Sequence, residues 1–155
     1  MFQGSLVALV TPFDGNNRVD YTSLKRLVDF HVAQGSAGLV IAGTTGESPT
    51  LERSEHIELI GRSIEIAAGR IPIVAGTGSN STSQSVDLTL AVADPGLAAH
   101  MAVVPYYNKP TQEGIFRHYS AIADAAQKPV LMYNVPGRTV ADMLPETVGR
   151  LAKHG

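Results

Sequence analysis

At 155 residues, 44% hydrophobic and 17% charged, the chain has the composition of one soluble globular domain rather than of a disordered segment. A formal charge of −2 without a basic cluster argues against a nucleic-acid ligand, because such binding rests on phosphate neutralisation by Lys and Arg, and apolar runs of about five residues fall far short of the ~20 that span a bilayer. The absence of cysteine excludes a disulfide framework, a thiolate zinc site and a thiol nucleophile. The five histidines (31, 56, 100, 118, 154) make no HExxH-type pair, so neither metal nor cofactor is implied. No positively charged signal-peptide region follows Met1, and a cytoplasmic address is expected.

Five short Val-, Ile- and Leu-rich runs, at 6–10, 39–42, 71–75, 101–104 and 130–133, read as strands buried on both faces. After the first, Asp20 can cap a helix with Leu24, Leu27, Val28 and Val32 on one face, ending at Gly35. After the second, Ile57, Ile60, Ile64 and Ala67 form a stripe that stops at Gly69. Ser81 and Gln84 make a capping box for the third helix. Thr111 opens the fourth, with Ile115, Tyr119, Ile122 and Ala126 on one face. A fifth begins near Pro145, with Val148, Leu151 and Ala152 inward.

Strand starts recur about every 30 residues, the length of a βα unit, which predicts five βα units and a parallel sheet in one domain over 1–155. Asp94-Pro95-Gly96 is a turn rather than a linker. Periodicity leaves two architectures open. One is a doubly wound open sheet, the other part of a (β/α)8 barrel, since a whole barrel takes about 250 residues.

Polar residues collect after the carboxyl end of every strand: Thr11; Thr44-Thr45-Gly46-Glu47; Thr77-Gly78-Ser79-Asn80; Pro105-Tyr106-Tyr107-Asn108; and Tyr133-Asn134-Val135-Pro136-Gly137-Arg138. That is the face where α/β folds place their sites. Any one such loop, taken alone, reads more readily as turn and capping residues. The segment GTTGESPT at 43–50 has neither the Gly-Lys-Ser/Thr ending of a P-loop nor a GxGxxG pattern, which points away from nucleotide phosphates towards something smaller.

GTTGE at 43–47, GTGSNST at 76–82, PYYNKP at 105–110 and YNVPGRT at 133–139, in this order and spacing, resemble the dihydrodipicolinate synthase family of the N-acetylneuraminate lyase superfamily. The opening GSLVALVTPF and the stretch LPETVGRLAK match as well, so the resemblance runs from residue 1 to 155. It implies the barrel alternative, a partial TIM (β/α)8 barrel of about five βα units. It also implies a lyase of lysine biosynthesis by the diaminopimelate route, joining pyruvate to aspartate semialdehyde through a lysine Schiff base.

Carried over residue by residue, the resemblance makes Thr44 and Thr45 the pyruvate contacts, their hydroxyls and backbone amides receiving its carboxylate. Tyr133 becomes the general acid and base, relayed by Thr44 and by Tyr107 from a neighbouring subunit, and Arg138 meets the semialdehyde carboxylate. Without the resemblance, strand-end tyrosines read as packing residues and a loop Arg as solvated. The family's Schiff-base lysine lies on a sixth strand, beyond these residues. Lys25, Lys109, Lys128 and Lys153 sit at loop or helix positions, where an ammonium is solvated. The chain alone is therefore expected to be inactive, a homo-oligomer that holds pyruvate-like keto acids weakly. Two alternatives stand beside this: a self-associating or interaction module that awaits a C-terminal complement, and a keto-acid binding protein. Family members inhibited by lysine bind it with a histidine and a glutamate that here are Arg53 and Gln84, while Ser48, Asn80, His56 and Tyr106 match, so feedback inhibition is not expected.

Overall fold

Apolar runs alternate with capped amphipathic segments, and the computed structural model, in which residues 2–154 are described, shows what they become. The strands are β1 Leu6–Ala8, β2 Gly38–Ile41, β3 Ile73–Gly76, β4 Leu97–Val103 and β5 Val130–Tyr133. The helices are α1 Tyr21–Ala33, α2 Arg53–Ala67, α3 Thr82–Ala91, α4 Gln112–Ala125, α5 Pro136–Thr139 and α6 Pro145–Leu151, with a 3-10 turn at Ser48–Thr50. Strand order follows chain order, and the pairs β1–β2, β2–β3 and β4–β5 are parallel, as short βα connections require. The chain forms two compact units: Met1–Gly76 with Asp94–Ala99, and Thr77–Ala93 with His100–Gly155. Among the described residues no helix is long and apolar enough to cross a membrane.

In the first unit β2 and β3 are buried along their whole length, in the register Leu39↔Ile73 and Val40↔Val74. β1 differs from expectation: it stops at Ala8, its residues are half-buried or exposed, and Val10 is 50% exposed. As the first strand of the sheet it has a single neighbour, and beyond Leu9 the chain turns away towards Pro12, which has no N–H to give a ladder. Asp20 caps α1 by accepting from the Ser23 amide at 3.0 Å, and the helix buries Leu24 and Val28. α2 buries His56, Leu59, Ile60, Ser63 and Ala67, so the inward face is rotated from the predicted stripe and Ile57 and Ile64 are only half-buried. Ser63 follows its apolar neighbours inward because its hydroxyl can donate to the Leu59 carbonyl at 2.7 Å. Arg70 closes the helix by donating to the carbonyls of Ile66 and Ala67.

The core of the second unit joins Ala102, Val104, Ile115, Tyr119, Ile122, Ala141, Met143 and Leu151. The Tyr119 hydroxyl donates to the Ala102 carbonyl at 2.8 Å, so the one polar atom of this large side chain is satisfied where burial raises the phenol's pKa. Thr111 caps α4 through the Gly114 amide. The capping box at α3 is only half formed. Ser81 accepts from the Gln84 amide, but the Gln84 side chain turns to the Ser79 hydroxyl, which also takes the Ser81 amide. β4 begins at Leu97, four residues before the expected start, because Ala98-Ala99-His100 carries no β-branched signal yet is held by the sheet. β5 is half-buried rather than buried on both faces, having β4 as its one strand neighbour. α6 turns Thr147 and Leu151 inward; Val148 is 36% exposed and Ala152 exposed, because Thr147 finds a polar partner in Gln112.

Candidate functional site

In the first unit β2 runs into Ala42 with φ +52°, then Gly43 and Gly46 are buried while Thr44 and Thr45 between them are exposed. Two backbone bonds close the turn, Glu47 N to Thr44 O at 3.1 Å and Ser48 N to Gly43 O at 3.3 Å, and Glu47 adopts φ +60°. A Cβ on Gly76 would lie 2.1 Å from the Ala42 carbonyl, so only glycine lets these backbone segments meet, and one on Gly46 would lie 3.1 Å from the Leu9 carbonyl, a tight contact. Buried hydrogen bonds fix the same place: the Thr11 hydroxyl donates to the Gly46 carbonyl at 2.6 Å, and His56 Nε2 lies 2.8 Å from the Gly76 carbonyl. Burial holds His56 below the ordinary histidine pKa, so its neutral form donates to that carbonyl. Among the described residues the hydroxyls and amides of Thr44 and Thr45 have no protein partner. The result is a turn tied down by buried hydrogen bonds behind it, with the neutral hydroxyls of Thr44 and Thr45 exposed in front.

In the second unit Tyr133 ends β5, half-buried, its carbonyl accepting from the Val104 amide at 3.0 Å. Tyr107 is 87% exposed with φ +73°, and its amide donates to the Thr139 carbonyl at 3.4 Å, which brings the 105–110 loop against the α5 turn that carries Arg138. Arg138 is exposed and its guanidinium has neither ion pair nor hydrogen bond among the described residues. The structure thus pairs Thr44 with Thr45 in one unit, and the Tyr107 loop with the Arg138 turn in the other.

The lysines lie elsewhere. Lys25 pairs with Asp29 on the solvent face of α1, Lys109 and Lys153 are exposed, and Lys128 lies half-buried just before β5; none is on a strand. Of the residues matched to a lysine-binding site, Arg53 is exposed at the start of α2, Gln84 is engaged by Ser79, and His56 is turned inward to Gly76. Among the described residues no three His, Cys, Asp or Glu side chains gather as a metal site. The sequence reading missed α5, the role of Thr11 and the buried His56 bond. A threonine after β1 was visible as a polar strand end, but its partner lies 35 residues away.

The sequence model of the Dihydrodipicolinate synthetase family matches residues 1–155. The 4-hydroxy-tetrahydrodipicolinate synthase of Pseudoalteromonas atlantica is 56% identical over 154 residues, 99% of this chain and 53% of that protein, so the chain spans about half the length of the curated relatives it matches. The crystal structure of the chloride-inhibited dihydrodipicolinate synthase from Acinetobacter baumannii complexed with pyruvate superposes with TM-score 0.96 at 50% identity, covering 99% of this chain and 53% of that one. A synthase described as the first monomeric variant superposes at 0.93 with 43% identity, covering 97% and 50%. These superpositions bear out the partial-barrel reading over the doubly wound sheet: the fold is α/β, with five parallel strands that correspond to half of the relatives' barrel. With the clamped Thr44-Thr45 turn at the end of β2, Tyr133 at the end of β5 and a match along its whole length, the chain belongs to the dihydrodipicolinate synthetase family.

Proposed function

We propose that this chain supplies the pyruvate-binding and proton-relay residues of a dihydrodipicolinate synthase site, and that the 155 residues by themselves form no Schiff base. The observation that carries the first part is the Thr44-Thr45 turn: exposed, its threonine hydroxyls and amides without a protein partner among the described residues, and tied in place around Thr11, Gly46 and Gly76. A pyruvate carboxylate needs two or three donors at fixed spacing, and a turn that needs no reorganisation loses little entropy on receiving it. The pyruvate complex of a 50% identical synthase supports that ligand.

Tyr133 is the general acid and base in this reading, Thr44 and the Tyr107 of a neighbouring copy pass its proton on, and Arg138 receives the carboxylate of the aldehyde substrate by a forked pair of hydrogen bonds. Bond formation between the two substrates by the Schiff-base route requires an amine that attacks the pyruvate keto carbon, loses water and delivers an enamine carbon to the aldehyde. A threonine or tyrosine hydroxyl cannot form that nitrogen adduct. Of the four lysines, Lys25 is ion-paired on a helix surface, Lys153 is exposed, Lys128 precedes β5, and Lys109, on the Tyr107 loop, is exposed rather than desolvated; none is on a strand.

Two measurements on the 155-residue chain test this. Pyruvate titrated into 15N-labelled protein shifts the amides of Thr44 and Thr45 and the resonances of Tyr133, with weak affinity; movement elsewhere with these three still refutes the assignment. Incubation with pyruvate and borohydride leaves the mass unchanged; a stable adduct on any lysine, Lys109 above all, overturns the second claim. Arg53 and Gln84 replace the cation-accepting pair expected of a lysine-regulated member, so free lysine leaves the pyruvate response unaltered.

A further inference from the structure

The segment that follows the turn carrying Arg138 is gripped by two side-chain amides. Asn134, directly after β5, accepts from the Met143 amide through Oδ1 at 3.2 Å and donates through Nδ2 to the Met143 carbonyl at 3.4 Å and to Asp142 Oδ1 at 2.8 Å. Towards Met143 it therefore acts as an opposing peptide group would. Gln112, the first residue of α4, donates through Nε2 to the Asp142 carbonyl at 2.7 Å and accepts through Oε1 from the Leu144 amide at 3.1 Å and the Thr147 hydroxyl at 2.5 Å. Between them the two amides hold three successive residues, 142–144.

What lies upstream of that hold is strained. Val140 adopts φ +55°, a left-handed conformation that a β-branched residue rarely takes, and its side chain is 66% exposed, so packing at Val140 does not compensate. Thr139 spans the kink by donating to the Ala141 carbonyl at 2.7 Å and accepting from the Ala141 amide at 3.4 Å. α5 is four residues long, too short to persist unless its ends are held. Strain of this kind survives only where the surroundings over-determine it, and here they fix a turn whose outward product is one unpaired arginine.

We propose that Asn134 and Gln112 are positioning residues for Arg138: by fixing 142–144 they hold the α5 turn in the one conformation that presents the guanidinium to a carboxylate of the incoming aldehyde. The inference rests on the role given to Arg138 above.

The test uses the 15N-labelled 155-residue chain. In Asn134→Ala and in Gln112→Ala, amide exchange at Arg138, Thr139 and Val140 rises about tenfold or more while β4 and β5 keep their protection. Gln112→Glu, which keeps the acceptor for Leu144 and Thr147 and loses only the donor to Asp142, raises it less. Unchanged exchange in both alanine variants overturns the clamp. A second arm titrates succinate semialdehyde, an aldehyde with one carboxylate, and follows the Arg138 Nε–Hε resonance. Binding about tenfold weaker in Asn134→Ala supports positioning. Affinity that is unchanged although the turn has loosened overturns positioning and leaves the role of Arg138 standing. No Arg138 response in the unsubstituted chain, or affinity indifferent to Arg138→Ala, overturns that role and with it the purpose of the clamp. The two failures are told apart because the exchange arm involves no ligand.

Discussion

The hydroxyl of Thr11 donates a buried 2.6 Å hydrogen bond to the carbonyl of Gly46, tying the exit of β1 to the turn that carries Thr44 and Thr45. Neither group is otherwise reachable by water, so the bond is costly to lose. Thr11→Val leaves the Gly46 carbonyl unsatisfied and destabilises the chain by about 1–3 kcal/mol in urea unfolding, with a weaker pyruvate response at Thr45; Thr11→Ser, which restores the donor, recovers most of both. Equal stability of the valine and serine variants contradicts this.

Two glycines separate close backbone approach from ordinary flexibility. A methyl at Gly76 collides with the Ala42 carbonyl at 2.1 Å, whereas one at Gly137, within α5, meets nothing within 4 Å. Gly76→Ala is expected to cost upwards of about 3 kcal/mol, by forcing β3 away from the end of β2. Gly137→Ala is neutral or stabilising by about 0.5–1 kcal/mol, since alanine restricts the unfolded chain and suits a helix. Denaturant midpoints of the two variants decide it.

Three histidines are buried, and burial disfavours the charged form of each. His118 has Nδ1 on the Thr82 hydroxyl at 2.9 Å and a buried Nε2 without a partner; burial pushes it down to about 4. His100 and His56 are lowered by burial as well. Unfolded, each takes up a proton near 6.5 while the folded His118 stays neutral down to about 4, so the unfolded state binds more protons and stability falls as pH falls through that window. The loss approaches ~1.4 kcal/mol per pH unit for each histidine that stays neutral in the fold. His118→Gln, which keeps a partner for Thr82 and does not titrate, makes the pH dependence between 6.5 and 4 shallower. An unchanged slope rules the histidine out.

β1 and β5 end the strand order, Tyr107 is held in the left-handed region with its ring in solvent, and a cavity of about 380 Å³ lined by Tyr119, Val130, Met132 and Leu151 opens beside β5. Unpaired parallel edges and exposed aromatic rings favour self-association. Sedimentation at micromolar concentration is expected to show an oligomer, shifted towards monomer by Tyr107→Ala; monomer alone in the unsubstituted chain refutes it, the outcome for which a monomeric relative is a precedent.

The helix starts at Asp20, Ser81 and Thr111 were legible because a cap is a contact three residues long, written in one short stretch of sequence. The polar strand ends were legible because a parallel sheet puts every strand's carboxyl end on one side, whereas the roles proposed for Thr44, Thr45, Tyr133 and Arg138 came from the family resemblance of their motifs. Tertiary structure alone decided which face of α2 and α6 turned inward, where β4 began, and what held the site loops still. For α6 and for the strand-end loops the deciding partner lies outside the local stretch: Thr147 to Gln112 across 35 residues, Thr11 to Gly46 across 35, Asn134 to Met143 across nine. A hydroxyl or amide carries no mark of a partner that only folding brings near, whereas an apolar stripe or a cap is read from its own neighbours.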